Sequence, residues 1–390
     1  MSDLLAEVSR LRAGDLPVRG GKVTAYVYDT GEPEVHEAAA RVYFEMLEAN
    51  TLDPTAFPSV VAMEKEVVGQ VAALLGGGHG IFTSGGTESI MLAVKAARDA
   101  SEVADPSIVL PVTAHPAFHK AAHYLGVSVV QVPVSLETFE VSADDVAAAI
   151  TPSTIMVVVS APSYPQGVID PVAEVAAVAA ARGVPCHVDA YVGGWLLPWL
   201  RLGGAWATMR ALGRDGYLAL GRATLEASVR LREGLGKIAG LRVLGAPGSS
   251  LIAFASDEVD VFVVADEARR RGWFVQPQLS YAGIPANLHI TVTGVTLSGV
   301  DAMLSVIADS VAAARARGPV AVPEGLVELV ASLDLSTLDD AEFGALAASV
   351  GVDLAGGGQP EMAVVNTILD ALPAPKREEI LVRFLSLIYT

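Results

Sequence analysis

Cysteine is nearly absent from this chain: Cys186 stands alone, in the run G-V-P-C-H-V-D-A. No intrachain disulfide can form, which fits a reducing cytosol. The apolar neighbours read as those of a buried strand thiol rather than of a nucleophile. Charge is scarce as well, at 18% of residues against 52% hydrophobic. That balance excludes a disordered chain. Its 390 residues fit one large domain and one smaller one. So little charge on a soluble protein also leaves apolar surface for a partner subunit to cover. Basic residues are too few to balance the acids, and the net charge is −18. Nucleic acid and anionic membranes are therefore poor partners, since both demand clustered Lys and Arg. The N-terminus, M-S-D-L-L-A-E-V-S-R-L-R, is amphipathic and carries no signal-peptide apolar core. The longest uncharged stretch, 146–169, is broken by Pro152, Pro162 and Pro165. It reads as a helix end, a turn, a buried strand and a loop, not as a membrane span.

What is present is alternation of helix and strand. Residues 63–75 and 89–100 have helical apolar spacing, 108–112 is β-rich, and 116–125 is a helix with Pro116 in its first turn. Then follow strand 127–134, helix 143–150, strand 155–160, helix 171–181 and strand 184–189. The run 155–160 is β-branched without alternation, as a strand buried on both faces requires. Repeated βα units imply a mostly parallel sheet with helices on both faces. Residues 206–238 read as one or two long helices, and 240–312 as a smaller α/β pattern. The expected division is an N-terminal arm with helices (1–55), a large domain (56–238), a small C-terminal α/β domain (239–315) and a helical tail (316–390). The G-G-G at 76–78 lacks the G-K-[ST] of a P-loop and reads as a turn.

Three features carry chemistry. In T-S-G-G-T-E-S, Gly85 and Gly86 let backbone approach a ligand, and the helix expected from Glu88 offers unpaired N–H groups. With the hydroxyls of Ser84 and Thr87 this makes an anion cradle suited to phosphate, although an ordinary capping box has the same composition. Asp189 ends an apolar strand at the carboxyl edge, where open parallel sheets bind ligands. A carboxylate there needs a partner. A protonated pyridine nitrogen is one such partner, and the N–H groups of the following turn are another. His115 precedes Pro116 and is expected at a helix N-cap on the same edge, where it could stack on a flat ring. His115, His119 and His123 are spaced four apart, but no acid or thiol completes a metal site, so no metal is expected.

The ordered set Y-x-x-G, N-x-L-x-P-x-x-F-P, S-G-G-T-E-S, A-H-x-A-F-x-K-A-A, Y-P-x-G-V-I-D-P and H-V-D-A-x-x-G-G resembles the sphingosine-1-phosphate lyase branch of the group II pyridoxal-phosphate decarboxylases. The resemblance covers about 20–390. It implies the type I, aspartate aminotransferase-like fold and a homodimer with active sites at the subunit interface. It also implies pyridoxal 5'-phosphate as cofactor and a small amine or amino acid as substrate. Carried over by position, Gly86 and Thr87 would hold the cofactor phosphate, with Asn50 near that pocket. His115 would stack on the ring and Asp189 would pair with its nitrogen. Tyr28 and Tyr164 would line the substrate side, where either could move a proton. Asp53 departs from the pattern, because the lyases carry histidine there for a phosphorylated substrate. That departure points to an unphosphorylated amino acid or amine.

The Schiff-base lysine of that family lies in S-x-D-x-H-K-Y-G, downstream of H-V-D-A, and no such stretch occurs here. Lys65, Lys95, Lys120 and Lys237 fall in helical patterns, and Lys22 and Lys376 in polar ends or loops. The chain passes from P-W-L-R-L directly to G-G-A-W-A-T-M-R-A-L-G, which places a break near Leu202 and Gly203. Either the natural protein carries a further segment there, or the segment is deleted. A deletion would remove central strands and leave Asp189 without purpose, so the first explanation is preferred. The expected activity is then a lyase acting on a carbon–carbon bond next to an amine, by decarboxylation or aldehyde release. The alternative is an inactive homologue serving as a binding or structural dimer.

Overall fold

The structure is a computed structural model that describes residues 2–25, 29–49, 56–191, 202–322, 325–333, 338–349 and 361–389. Three helices come first: α1 (Ser2–Leu11), α2 (Pro33–Glu45) and α3 (Pro58–Leu74). After α4 (Gly86–Asp99) the chain alternates: β1 (Ser107–Pro111), α5 (Ala117–Leu125), β2 (Ser128–Val132), α6 (Ala143–Ala149), β3 (Thr154–Ser160), α7 (Val172–Ala181) and β4 (Cys186–Asp189). The strands form a parallel sheet in the order β2-β1-β3-β4.

The pleat explains why the two central strands, β1 and β3, are apolar along almost their whole length. Ile108, Leu110, Met156 and Val158 pack against Ile90 and Val94 of α4 and Phe118 and Ala121 of α5. The alternate residues Val109, Val157 and Val159 pack against Val146 of α6 and Val175 and Ala179 of α7. Both faces are thus covered, as expected of crossover units. The stretch 146–169, tested above as a membrane span, resolves into the end of α6, β3 and a loop. β4 differs from β3. Every residue of β3 is buried, whereas β4 is half-buried and Val188 is 38% exposed. β4 pairs only with β3 among the described residues, so it forms an open edge. Cys186 is accordingly half-buried, not fully buried as its sequence context suggested.

Helix α8 (Leu202–Leu235) runs through the expected break, with non-helical backbone at Gly213. It packs on α2, α3 and the later helix Thr296–Arg317. A second, antiparallel sheet follows, from β5 (Arg242–Val243), β6 (Leu251–Ala255), β7 (Gln276–Gln278) and β8 (Asn287–Thr291), in the order β5-β6-β8-β7. Helices α9 (Val261–Arg270) and α10 (Thr296–Arg317) cover one face of it. Asp260 caps α9 by accepting from Phe262 and Val263, the strongest kind of helix start. Helix α10 is long and apolar enough to cross a bilayer. Its Val300, Met303, Ile307 and Val311 are nevertheless buried in the core with Ile252, Phe254, Leu288 and Ile290.

The tail forms α11 (Leu326–Ser332), α12 (Asp340–Ser349), α13 (Met362–Ala371) and α14 (Ala374–Tyr389). It is anchored to the second sheet's elements: the Ala363 N–H donates to Asp266, and the Ser280 N–H to Asp370. Two lysine assignments change. Lys237 lies in a turn after α8, and Lys376 lies in α14, where it pairs with Glu379.

Candidate active site

Four segments meet at the carboxyl edge of the parallel sheet. The first is the N-terminus of α4. The helix begins at Gly86, two residues before Glu88, with Gly85 as its cap and no side chain capping it. The Ser84 N–H donates to the Glu88 carboxylate at 2.6 Å. The Ser84 side chain, and after it this bond, hold the Glu88 carboxyl below the usual range. The hydroxyls of Thr83 and Ser89 bond at 2.7 Å. Only the glutamate half of a capping box forms, on Ser84 rather than on the N-cap Gly85, and the amides of Gly86 and Thr87 remain in the first turn, where a helix attracts anions. A Cβ on Gly86 would stand 2.7 Å from Tyr191 Cδ2, so only glycine lets the turn after β4 close on this helix.

The second segment is the end of β4. One Asp189 oxygen accepts from the Tyr191 N–H at 3.1 Å, and the Asp189 carbonyl accepts from the Ala161 N–H at 2.8 Å. Asp189 thus caps its own turn, and it also stands close enough to His115 and His187 to favour their charged forms.

The third is the β1–α5 turn. His115 was expected to occupy the N-cap position, but that position belongs to Pro116, whose backbone is already helical. The His115 ring does the capping instead: Nδ1 accepts from the Ala117 N–H at 3.1 Å. Nε2 therefore carries the proton. Burial lowers the His115 pKa, with Asp189 opposing.

The fourth is the β3–α7 loop, whose Tyr164 ring stands edge-on to His115 with centroids 5.3 Å apart. Asp170 anchors this loop by accepting from the Ser160 N–H at 2.8 Å. Burial pushes the Tyr164 phenol upward, and hydrogen bonds from Gln276 and Gln278 pull it back. On its other side lies His289, with ring centroids 5.2 Å apart.

Of the residues singled out from sequence, Ser84, Gly85, Gly86, Thr87, His115, Tyr164 and Asp189 lie on this edge. Tyr28, Asn50 and Asp53 lie outside the described residues. His119 bonds with Gln131 at 3.3 Å, and His123 packs beside Tyr124. No group of three or more His, Cys, Asp or Glu is placed to hold a metal among the described residues. Gln276, Gln278 and His289 were missed. The available signal was polar residues alternating with apolar ones in N-L-H-I-T.

The residues present fit pyridoxal phosphate. A glycine-lined helix start suits its phosphate, a carboxylate at a strand end suits its ring nitrogen, and a neutral half-buried imidazole offers a flat face. Two family profiles match the chain. Aminotransferase class-V covers residues 55–193, and the C-terminal HTH domain of pyridoxal-dependent enzymes covers 324–387. The sphingosine-1-phosphate lyase of Oryza sativa is 31% identical over 378 residues, covering 75% of this chain and 69% of that protein. A probable L-tyrosine/L-aspartate decarboxylase of Methanothrix thermoacetophila is 38% identical over 173 residues, 44% of this chain and 45% of that protein. The solved sphingosine-1-phosphate lyase of Burkholderia pseudomallei superposes with TM-score 0.73 at 28% identity, over 81% of this chain and 91% of that one. This chain spans about two thirds of the length of the curated lyases it matches. The rice alignment has 378 positions but uses 75% of 390 residues, about 292, so about 86 of its positions have no counterpart here.

Proposed function

The chain belongs to the sphingosine-1-phosphate lyase-like branch of the pyridoxal-phosphate-dependent decarboxylases, and on that premise we propose that it is a lyase cleaving a carbon–carbon bond next to an amine. The observation that carries this reading is the convergence of Gly86, His115, Tyr164 and Asp189 on one sheet edge. The cofactor is pyridoxal 5'-phosphate, which supplies an electron sink for the cleaved bond. The Gly86 and Thr87 amides would hold its phosphate, helped by the helix dipole. Asp189 would hold a proton on the ring nitrogen by charge pairing. His115, neutral and with Nδ1 engaged by Ala117, would press its face on the ring. Tyr164 would exchange a proton with the substrate side.

The lysine this chemistry needs would come from a segment of the natural protein between Leu202 and Gly203. Two observations support this. About 86 positions of the rice lyase lack counterparts, and β4 presents an open, half-exposed edge to which further strands would add. The substrate we propose is an unphosphorylated amino acid or amine, from Asp53 and from the similarity to an amino-acid decarboxylase. Exposed Leu4, Leu5, Phe44, Leu218 and Leu225 support a homodimer, and the single cysteine supports a cytosolic setting.

A substrate panel tests this. Turnover of an amino acid by natural protein loaded with cofactor supports the reading, whereas activity confined to phosphorylated sphingoid amines overturns the substrate class. A second reading, an inactive homologue, draws on one observation: none of the six lysines of the 390 residues stands in the family's lysine motif. Absence of turnover with every amine tested would favour it.

A further inference from the structure

The antiparallel sheet has two unlike faces. Leu288 and Ile290 of β8 join the apolar core with Ile252 and Phe254 of β6. Alternation sends Asn287, His289 and Thr291 to the opposite face. On β7, Gln276 pairs with His289 and Gln278 with Asn287, adding two amides. Asn287 and His289 are each 1% exposed. A buried polar row of this kind is unfavourable unless its members are partnered, and leucine or valine would fill the space without that penalty. The partners lead to Tyr164. Gln276 Nε2 donates to the Tyr164 hydroxyl at 3.2 Å, and the Gln278 amide is close enough to lower the pKa of that phenol. Gln278 Nε2 lies 3.2 Å from His289 Nδ1. The imidazole further touches the Thr291 hydroxyl at 3.4 Å and the carbonyl of Pro165, the residue after Tyr164.

We infer that His289 is a positioning residue for Tyr164: its Nδ1 accepts one N–H of the Gln278 amide and thereby aims the other N–H at the phenol oxygen. Deep burial keeps the imidazole neutral, with its pKa pushed down to about 4, so one ring nitrogen is always an acceptor at neutral pH. The amides of β7 thus approach the phenol oxygen from the second sheet, while the His115 ring stands edge-on to the Tyr164 ring with centroids 5.3 Å apart. The groups facing Tyr164 are thus His115 from the β1–α5 turn, the two glutamines of β7 and His289 of β8. Asp189 acts through His115. Donors on the oxygen also favour its ionised form, which suits a residue that exchanges protons.

This inference rests on the reading of Tyr164 as a proton-transfer residue, and its test needs neither cofactor nor turnover. The full chain is labelled with 3-fluorotyrosine, which titrates at lower pH than tyrosine, and followed by fluorine NMR. The Tyr164 signal is the one lost in Tyr164→Phe. His289→Phe and Gln278→Leu should each raise its titration midpoint by about one pH unit, the size of one lost hydrogen bond to the charged form. His289→Asn, whose Oδ1 can accept in place of Nδ1, should stay within about 0.3 unit of the parent. An unmoved midpoint in His289→Phe, or a shift in His289→Asn as large as in His289→Phe, overturns the positioning role. Should His289→Phe fail to fold, His289→Leu, which likewise removes the Nδ1 acceptor, decides by the same midpoint. Full lyase activity in Tyr164→Phe would instead remove Tyr164 from the reaction and leave the titration result standing.

Discussion

The two sheets present their chemistry in different ways. In the parallel sheet the central strands β1 and β3 are apolar on both faces, and the polar groups of the candidate site gather at strand ends: His115 after β1, Tyr164 after β3 and Asp189 closing β4. The antiparallel sheet divides instead by parity, with Leu288 and Ile290 in the core and Asn287, His289 and Thr291 on the site side. In the first sheet, stability and function separate along each strand. In the second they separate across it.

Substitutions on the two sheets test that contrast. The largest effect on stability belongs to the core face of the second sheet. Phe254 is fully buried, and Phe254→Ala should lower unfolding free energy by about 3–5 kcal/mol in a denaturant titration. At low temperature the variant should still bind cofactor, because no atom of the site is removed. Asp189→Ala should do the reverse. We expect kcat/KM to fall by about 10²–10³-fold, as for loss of a preorganised charge partner, with little change in melting temperature. A melting loss comparable to that of Phe254→Ala would show that strand ends and strand interiors are not separable here.

A third test uses pH. Burial pushes the Asp170 carboxyl up to about 6, whereas the unfolded chain ionises it near 4. The folded state holds this proton more tightly. Its stabilisation is complete below about pH 4 and is lost as pH rises through about 6, by about 3 kcal/mol at most. His289, pushed down to about 4, contributes the opposite slope: its stabilisation is present above about pH 6.5 and is lost as pH falls through about 4. Asp170→Asn should therefore remain at least as stable as the parent at pH 7.5, and its melting temperature should lose less on going from about pH 4.5 to 7. Parallel melting curves for parent and variant across that range would count against a buried, loop-anchoring carboxyl. The smallest effect is expected at Gly86. A methyl group there meets the Tyr191 ring, so Gly86→Ala should weaken cofactor binding by about tenfold through a displacement of roughly 1–2 kcal/mol. Gly86→Ala combined with Tyr191→Ala should recover part of that loss, since the second change removes the obstructing ring.

Much of the first sheet was legible because its signals are local. T-S-G-G-T-E-S, H-V-D-A and the apolar β3 run each declare a turn, a strand end or a buried strand within a few residues. Boundaries moved by one to five residues: α4 starts at Gly86 rather than Glu88, and α3 at Pro58 rather than residue 63. β7 escaped notice because Pro277 sits in its middle. Proline is excluded from central strands, and β7 is the edge strand of its sheet, where proline is tolerated. Gln276, Gln278 and His289 escaped for another reason. Their partner Tyr164 lies more than a hundred residues earlier, and only the packing of one sheet against the loops of the other brings them together. The contact of Tyr191 with Gly86 is of the same kind. The apolar neighbours of Cys186 predict a buried thiol, but at an open edge apolar neighbours do not guarantee cover, and Cys186 is half-buried.

If this sheet edge is a pyridoxal phosphate site completed by a lysine from a segment between Leu202 and Gly203, a tryptic peptide map of the natural protein will show it after incubation with pyridoxal phosphate and reduction by borohydride. The expected result is a cofactor-bearing lysine peptide whose sequence lies between those two residues, and no peptide L-G-G-A-W-A-T-M-R. Recovery of that peptide, 202–210, together with an unmodified chain, would contradict it.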